Sequence, residues 1–325
     1  MLFDRVSKWY GPVIGVNQVT LELRPGITGL VGANGSGKST LLRLATGHLR
    51  PDLGTVRVYG LDAWGAAAKR HIGYCPDNDS FYEEMSGRQF VLAMARLCGY
   101  SAAAARERTD AALELVGMTY RAERPLRGYS KGMRQRIKLA QALVHDPELL
   151  VLDEPLSGID PVGRSESIAL FRQLAERGKC LLISSHELEE LEKLTDHVAV
   201  MARGRIAAVG TLAQIRDLLD DHPLTIRIDL GPNAERGITT DRESKDEADR
   251  RRELAAALLA LPDVVGVDVG EGHSLLVCAR NPRQFHRDFA RLVVEESYEV
   301  RHLETLDDSA EAILGYLLSG RRAGR

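Results

Sequence analysis

The sequence predicts an α/β fold for its first two thirds, followed by a smaller α+β unit. Three observations carry this. Residues 27–31, 149–152 and 180–183 are continuously apolar, the mark of parallel strands covered on both faces. Amphipathic and Ala-rich stretches separate those runs, so strands alternate with helices. Residues 231–249 are polar, charged and nearly free of large apolar side chains, and they read as a loop or tether setting the rest of the chain apart. A length of 325 residues suits two unequal domains.

In chain order, Val19, Leu21 and Leu23 alternate with Thr20, Glu22 and Arg24, and Val56 and Val58 alternate with Thr55, Arg57 and Tyr59. Both segments read as half-buried strands. Residues 86–118 are helical in pattern, because SAAAARERTDAALELVG is built from strong helix formers. Beyond the tether, strand-like segments at 224–230, 264–269, 275–279 and 299–303 flank two helix faces. Leu254, Ala257, Leu258 and Leu261 make one face, and Phe285, Phe289, Leu292 and Val293 the other. The resulting order β-α-β-β-α-β is that of a ferredoxin-like domain. A last helix is expected with Leu306, Ala310, Ile313, Leu314 and Leu317 on one side.

Composition excludes several classes of function. Lys and Arg total 43 against 46 Asp and Glu, for a net charge of −3, so no global positive field holds the chain on nucleic acid or an anionic bilayer. Cys75, Cys98, Cys180 and Cys278 lie 23, 82 and 98 positions apart, which fits neither a disulfide framework nor a zinc pair. The first residues, MLFDRVSKWYG, lack the apolar core of a signal peptide, and the longest strongly apolar stretch, 254–261, is too short to span a bilayer.

The chemistry begins at residues 32–40, GANGSGKST, which match GxxxxGK[ST] between an apolar strand and an apolar-periodic segment. Gly32, Gly35 and Gly37 let the backbone curl, with Asn34 among them, so that N–H groups and the helix start behind them face phosphate oxygens. Lys38 is placed to bridge β- and γ-phosphates and Ser39 to ligate Mg²⁺, with Thr40 next in line. No third glycine follows at the dinucleotide spacing, so a dinucleotide fold is excluded.

Residues 149–155, LLVLDEP, form an apolar strand ending in two carboxylates. Strand C-termini line the ligand crevice of an α/β sheet, so Asp153 is read as the Mg²⁺ carboxylate and Glu154 as the general base. Taken alone, the pair is equally a helix cap or a solvated turn. The third apolar run leads into Ser184, Ser185 and His186, which places that imidazole at the same crevice, able to contact the γ-phosphate. The sequence His186-Glu187-Leu188-Glu189-Glu190 begins like a zinc-protease motif, but Glu190 stands where the second histidine belongs.

A second phosphate-seeking helix start lies at residues 128–136, GYSKGMRQR, with Ser130 as N-cap and Met133, Ile137, Ala140 and Val144 as the apolar face. This segment resembles the LSGGQ signature of ATP-binding-cassette (ABC) proteins, and its spacing of 92 positions from Lys38 and 23 to Asp153 fits that family. The resemblance covers residues 1 to about 220.

The resemblance implies a head-to-tail pair of cassettes sandwiching ATP and Mg²⁺. Ser130 and Gly132 then meet the partner's γ-phosphate, residues 157–160 (SGID) with Asp160 form the D-loop, and Tyr10 stacks on adenine, although Tyr10 is also readable as an ordinary strand-end aromatic. Two departures stand out. Asp77 occupies the position after the IGY strand where the family has Gln; it keeps a metal-ligating oxygen but is shorter. Lys131 and Met133 replace Gly and Gln of the signature, as in single-cassette exporters.

The fold so implied is an α/β phosphate-loop nucleotide-binding core with an antiparallel β subdomain and a helical insert (about 81–130) over residues 1–220. A small ferredoxin-like α+β accessory domain follows over 221–325, with a charged loop at 231–249. The function so implied is an ATPase subunit, peripheral on the cytoplasmic face of the membrane, powering export through a separate transmembrane permease, in a homodimer and without nucleic acid. The alternative is a soluble ABC ATPase acting on nucleic acid or the ribosome.

Overall fold

In the computed structural model of the chain, which describes residues 1–211, 214, 224–230, 241–269, 274–280, 282–296 and 298–305, the polypeptide divides into two compact units, Met1–Leu212 and Ala213–Arg325. Among the described residues no helix is long and apolar enough to cross a membrane.

The first unit opens with β1 (Leu2–Tyr10) and β2 (Val13–Glu22), which join β4 (Leu53–Val58) and β5 (Leu61–Asp62) in an antiparallel sheet of order β2-β1-β4-β5. The expected alternation holds: Val19, Leu21, Leu23, Val56 and Val58 are buried, and their polar neighbours are exposed. The first strand escaped sequence reading because its period is broken. Phe3 pairs with Leu21 and Val6 with Val19, so three steps on one strand oppose two on the other, and Arg5 takes φ +48°. That bulge lets Phe3 and Val6 both be fully buried despite their odd spacing.

The second sheet of this unit has the order β10-β9-β3-β8-β7-β6. Its strands are β3 (Gly26–Val31), β6 (Ile72–Cys75), β7 (Leu149–Asp153), β8 (Cys180–Ser185), β9 (His197–Ala202) and β10 (Arg205–Thr211). All pairs are parallel except β9 with β10. Val31 pairs with Ser185 and Asp153 with Ser184, so β3, β7 and β8 end level with one another. Every residue of β7 and β8 is buried, as their unbroken apolar character requires.

Helix α1 (Lys38–Ala45) follows β3, and Leu41, Leu42 and Leu44 enter one core with Phe3, Val16, Val58, Leu30 and Val151 from both sheets. Burying each such leucine contributes about 1.5–3 kcal/mol, which fixes α1 and the loop before it. After the short α2 (Ala66–Lys69), the helical insert comprises α3 (Gly87–Leu97) and α4 (Ala102–Leu115), and α5 (Lys131–Leu143) follows it. Serine begins all three. Ser86 and Gln89 form a reciprocal capping box, while Ser101 and Ser130 accept from Ala104 and Met133 N–H. Helices α6 (Pro161–Glu176) and α7 (Leu188–Glu192) follow β7 and β8.

The second unit runs β11 (Leu224–Leu230), α8 (Asp241–Leu259), β12 (Val264–Val269), β13 (Ser274–Ala279), α9 (Pro282–Glu295) and β14 (Val300–Thr305). Its sheet is antiparallel, of order β12-β13-β11-β14, the arrangement of a split β-α-β unit. Ile226, Ile228, Leu254, Leu258, Leu275, Val277, Phe285 and Phe289 form its core, with the two Phe rings stacked 5.6 Å apart.

The charged loop expected at 231–249 requires correction, because 241–249 is the first half of α8. Its Arg, Glu, Lys and Ala are strong helix formers, and charge density alone does not distinguish a solvated helix from a tether. Residues 231–240, and the closing helix expected over 306–317, lie outside the described residues.

Candidate functional site

The level ends of β3, β7 and β8 deliver three chain segments to one edge of the sheet. After β3, residues 32–37 curl into a loop closed by Ser36 N–H donating to the Ala33 carbonyl (3.0 Å) and Gly204 N–H donating to the Ser36 carbonyl (2.8 Å). Two glycines are sterically required. A Cβ on Gly32 would collide with the Met201 carbonyl, and one on Gly37, at φ +108°, with the Gly15 carbonyl oxygen. Gly37 also stands at the N-cap of α1, so no side chain caps that helix and no acidic residue occupies its first turn. Such an end, with free N–H groups and the positive pole of the helix, is an anion site.

Lys38 folds back over this loop. Its Nζ donates to the Gly32 carbonyl at 2.6 Å and lies 4.0 Å from Glu154 Oε1, with only 7% of the residue exposed. Burial pushes its ammonium below the usual lysine range, and Glu154 and Asp153 act against that shift. Asn34, Gly35 and Ser39 are exposed along the loop. Tyr10, at the end of β1, sets its hydroxyl 3.4 Å from Thr40 Oγ1 and its ring edge against Gly15, leaving the ring half-exposed beside the loop.

The carboxylates arrive from β7. Asp153 is 5% exposed, and Ser184 from β8 orders both acids: its hydroxyl donates to Asp153 Oδ1 at 2.7 Å and accepts the Glu154 N–H at 3.0 Å. Burial raises the Asp153 carboxyl above its usual range, and the nearby charges of Asp77 and Glu154 raise it further. Glu154 takes φ +48°, a left-handed conformation uncommon outside glycine. This turn directs its carboxylate across the crevice, where Oε2 lies 2.9 Å from His186 Nδ1 and Oε1 faces Lys38. The hydrogen bond that the imidazole donates to Glu154 raises the pKa of His186 above the ordinary imidazole value, against a smaller desolvation cost.

Structure thus brings Tyr10, Gly32, Lys38, Thr40, Asp153, Glu154 and His186 into one cluster, with Asp77 close enough to act on Asp153. The Asp77 carbonyl is held by Lys138 Nζ at 2.7 Å, and Asp79 beside it pairs with Lys138 at 3.0 Å and with Arg134 at 3.7 Å. Ser130 and Gly132 are elsewhere, at the start of α5 against residues 157–160. Lys131 lays its stem over Gly158, and Gly132 faces Ile159. Asp160 caps α6 by accepting the Gly163 N–H at 3.3 Å, a structural duty that sequence reading had not assigned to it.

Sequence reasoning also missed Ser184 as the hinge pin of the acidic pair. The available signal was two serines closing an otherwise apolar buried strand at its crevice end.

Residues 16–157 match the family described as ABC transporter. The daunorubicin/doxorubicin resistance ATP-binding protein of Streptomyces peucetius is 34% identical over 253 residues, covering 74% of this chain and 77% of its own. A Nod factor export ATP-binding protein of Paraburkholderia xenovorans is 33% identical, covering 72% and 81%. An uncharacterized ABC transporter ATP-binding protein of Nostoc is 37% identical over 62% of each chain, so the match spans less than two thirds of that relative's length. Among solved structures, the ATP-binding subunit of an ABC transporter superposes with TM-score 0.61 at 25% identity, over 75% of this chain and 98% of that one. With relatives of the same kind aligned over more than three quarters of their own length, and the phosphate loop and acidic strand end built as described, the chain belongs to the family of ABC transporter ATP-binding proteins.

Proposed function

We propose that this chain binds and hydrolyses ATP to power export of a substrate through a separate membrane permease, acting as a pair of copies at the cytoplasmic face. One observation carries the reading. The phosphate loop, the carboxylate pair and His186 converge, with Glu154 held between the Lys38 ammonium at 4.0 Å and the His186 imidazole at 2.9 Å.

The residues fit the groups this requires. Glycine at 32 and 37 leaves room that any Cβ would fill, and the uncapped start of α1 suits phosphate oxygens. Ser39, Asp153 and Asp77 offer hard oxygen donors, as Mg²⁺ prefers, and the raised Asp153 carboxyl among like charges is relieved by a cation. Among the described residues no three His, Cys, Asp or Glu side chains form a cage. When bound, Mg²⁺ supplies neutralisation of phosphate charge.

Lys38 then binds and orients the terminal phosphates, and Gly32, Asn34, Gly35, Gly37 and Thr40 shape their cradle. Glu154 accepts the proton of the attacking water, and His186 holds that carboxylate in place and contacts the γ-phosphate. Tyr10 offers its half-exposed ring to adenine. Ser130, Gly132 and Asp160 serve the site of the opposite copy, so ATP bridging two chains favours the closed pair and its cleavage releases them. The names of the Streptomyces and Paraburkholderia relatives, resistance and export, support the direction of transport. Residues 77–90, where Tyr82 is 69% exposed, are the surface offered to the permease. A role on nucleic acid is disfavoured by the net charge of −3.

The test is MgATP binding and phosphate release by the purified chain. Lys38→Ala is expected to weaken ATP binding by about tenfold or more, since charge-assisted contacts to phosphate are worth about 1.5–3 kcal/mol. Unchanged binding by that variant would remove the assignment. A chain ended after Leu219 is expected to keep MgATP binding while pairing more weakly, which sedimentation with and without nucleotide measures; loss of binding in the shortened chain would contradict the proposed independence of residues 1–220.

A further inference from the structure

His186 is 43% exposed in its side chain, and its contacts there are two acids, Glu154 and Glu187. A side chain this exposed takes its aim from those two carboxylates and from the backbone turn that carries it. That turn, from β8 into α7, rests on a polar network the catalytic reading does not use. Ser185 is 2% exposed and faces away from Ser184, as alternation along a strand requires. Its hydroxyl donates to Glu190 Oε2 at 3.0 Å and accepts the Glu187 N–H at 3.0 Å, clasping the two residues on either side of the turn. Glu190 is itself 5% exposed, and its other oxygen meets Arg164 at 3.2 Å. Arg164 lies on the first turn of α6, just after the cap Asp160, on the segment that continues from Glu154.

The direction of these bonds is set by chemistry. An ionised carboxylate only accepts, so Glu190 obliges Ser185 to donate to it and leaves the Ser185 lone pair for Glu187 N–H. Arg164 only donates, and it neutralises the buried charge. We propose that Glu190, held by Arg164, is a positioning residue that sets His186 against Glu154 through Ser185. This rests on the reading that His186 and Glu154 act in ATP hydrolysis. The same carboxylate that interrupts the zinc-like motif in the sequence is thereby given a use, because it faces inward to Ser185 rather than outward to a metal.

Glu190→Gln tests this with almost no change of shape. Arg164 must still find an acceptor, so the amide oxygen turns to it and the amide N–H₂ faces Ser185, which leaves the buried hydroxyl proton without its acceptor and forces Ser185 to rotate away from the geometry that clasps Glu187 N–H. Steady-state ATPase assays on the full chain are expected to show kcat reduced about tenfold with KM for ATP within about twofold, because misplacing a reacting group by a fraction of an ångström is costly while the phosphate loop is untouched. Ser185→Ala is expected to show the same split. In a His186→Ala background, adding Glu190→Gln is expected to cost nothing more, since a residue acting through His186 has nothing left to position. A Glu190→Gln enzyme within twofold of the parent kcat overturns the proposal, and so does a loss that persists undiminished without His186. If His186→Ala itself leaves kcat unchanged, the catalytic reading of His186 fails first and this proposal fails with it.

Discussion

Glu154→Gln is expected to lower phosphate release by at least about 10²-fold, the scale of a lost general base, while MgATP binding persists and the two-copy state accumulates. The amide is nearly isosteric, so the left-handed turn at residue 154 and the Ser184 bond to its N–H should survive, since neither involves the substituted atoms. What disappears is the capacity to take a proton and the charge facing Lys38. Removing that charge frees the ammonium for phosphate, so ATP affinity should hold or rise. Since each factor of ten corresponds to about 1.4 kcal/mol of barrier, the substitution removes roughly 3 kcal/mol or more from the transition state alone. Stopped phosphate release combined with size-exclusion chromatography in MgATP measures both halves. Turnover equal to the parent's would assign the proton to some other group.

Why Glu154 could be picked from sequence, and Ser184 could not, shows what a sequence makes legible. Continuous apolar runs announce buried parallel strands, and chain direction then places their C-terminal residues at one edge, so the apolar runs and the phosphate-loop motif together bring Gly32, Asp153, Glu154 and His186 to one crevice. The features that stayed hidden depend on tertiary partners. The bulge in β1 erases the two-residue period that reveals strands, because which residues point inward is decided by the register with β2. Ser184, Ser185 and Glu190 are polar residues whose value lies in which hydroxyl faces which carboxylate, and that is fixed only when β8 sits between β3 and β7 and α7 folds back on it. The charged start of α8 is hidden for a different reason: its composition is compatible with a solvated helix and with a tether, and sequence pattern alone does not separate them.

Gly37→Ala should abolish measurable ATP binding while leaving the first unit folded, and Gly35→Ala supplies the comparison that isolates the cause. Both glycines have positive φ, +79° at Gly35 and +108° at Gly37, and either substitution bears a backbone penalty of about 1–3 kcal/mol. Around Gly35 a new methyl meets nothing within 4 Å, so that penalty is the whole effect. Around Gly37 it strikes the Gly15 carbonyl of β2, a backbone atom unable to rotate away, and the Met201 side chain behind it. The loop must therefore lift from the antiparallel sheet, which displaces the N-terminus of α1 and Lys38 together and spoils the phosphate cradle at its base. The buried leucines of α1 still anchor the helix from its other side, so the unit should still unfold cooperatively, with a thermal midpoint below that of Gly35→Ala, whose backbone penalty of about 1–3 kcal/mol corresponds to about 2–12 °C for a unit of this size. Equilibrium nucleotide binding and thermal melts on the two variants decide the matter. Comparable affinity in both would mean that the close approach of β2 to the loop has no part in holding phosphate.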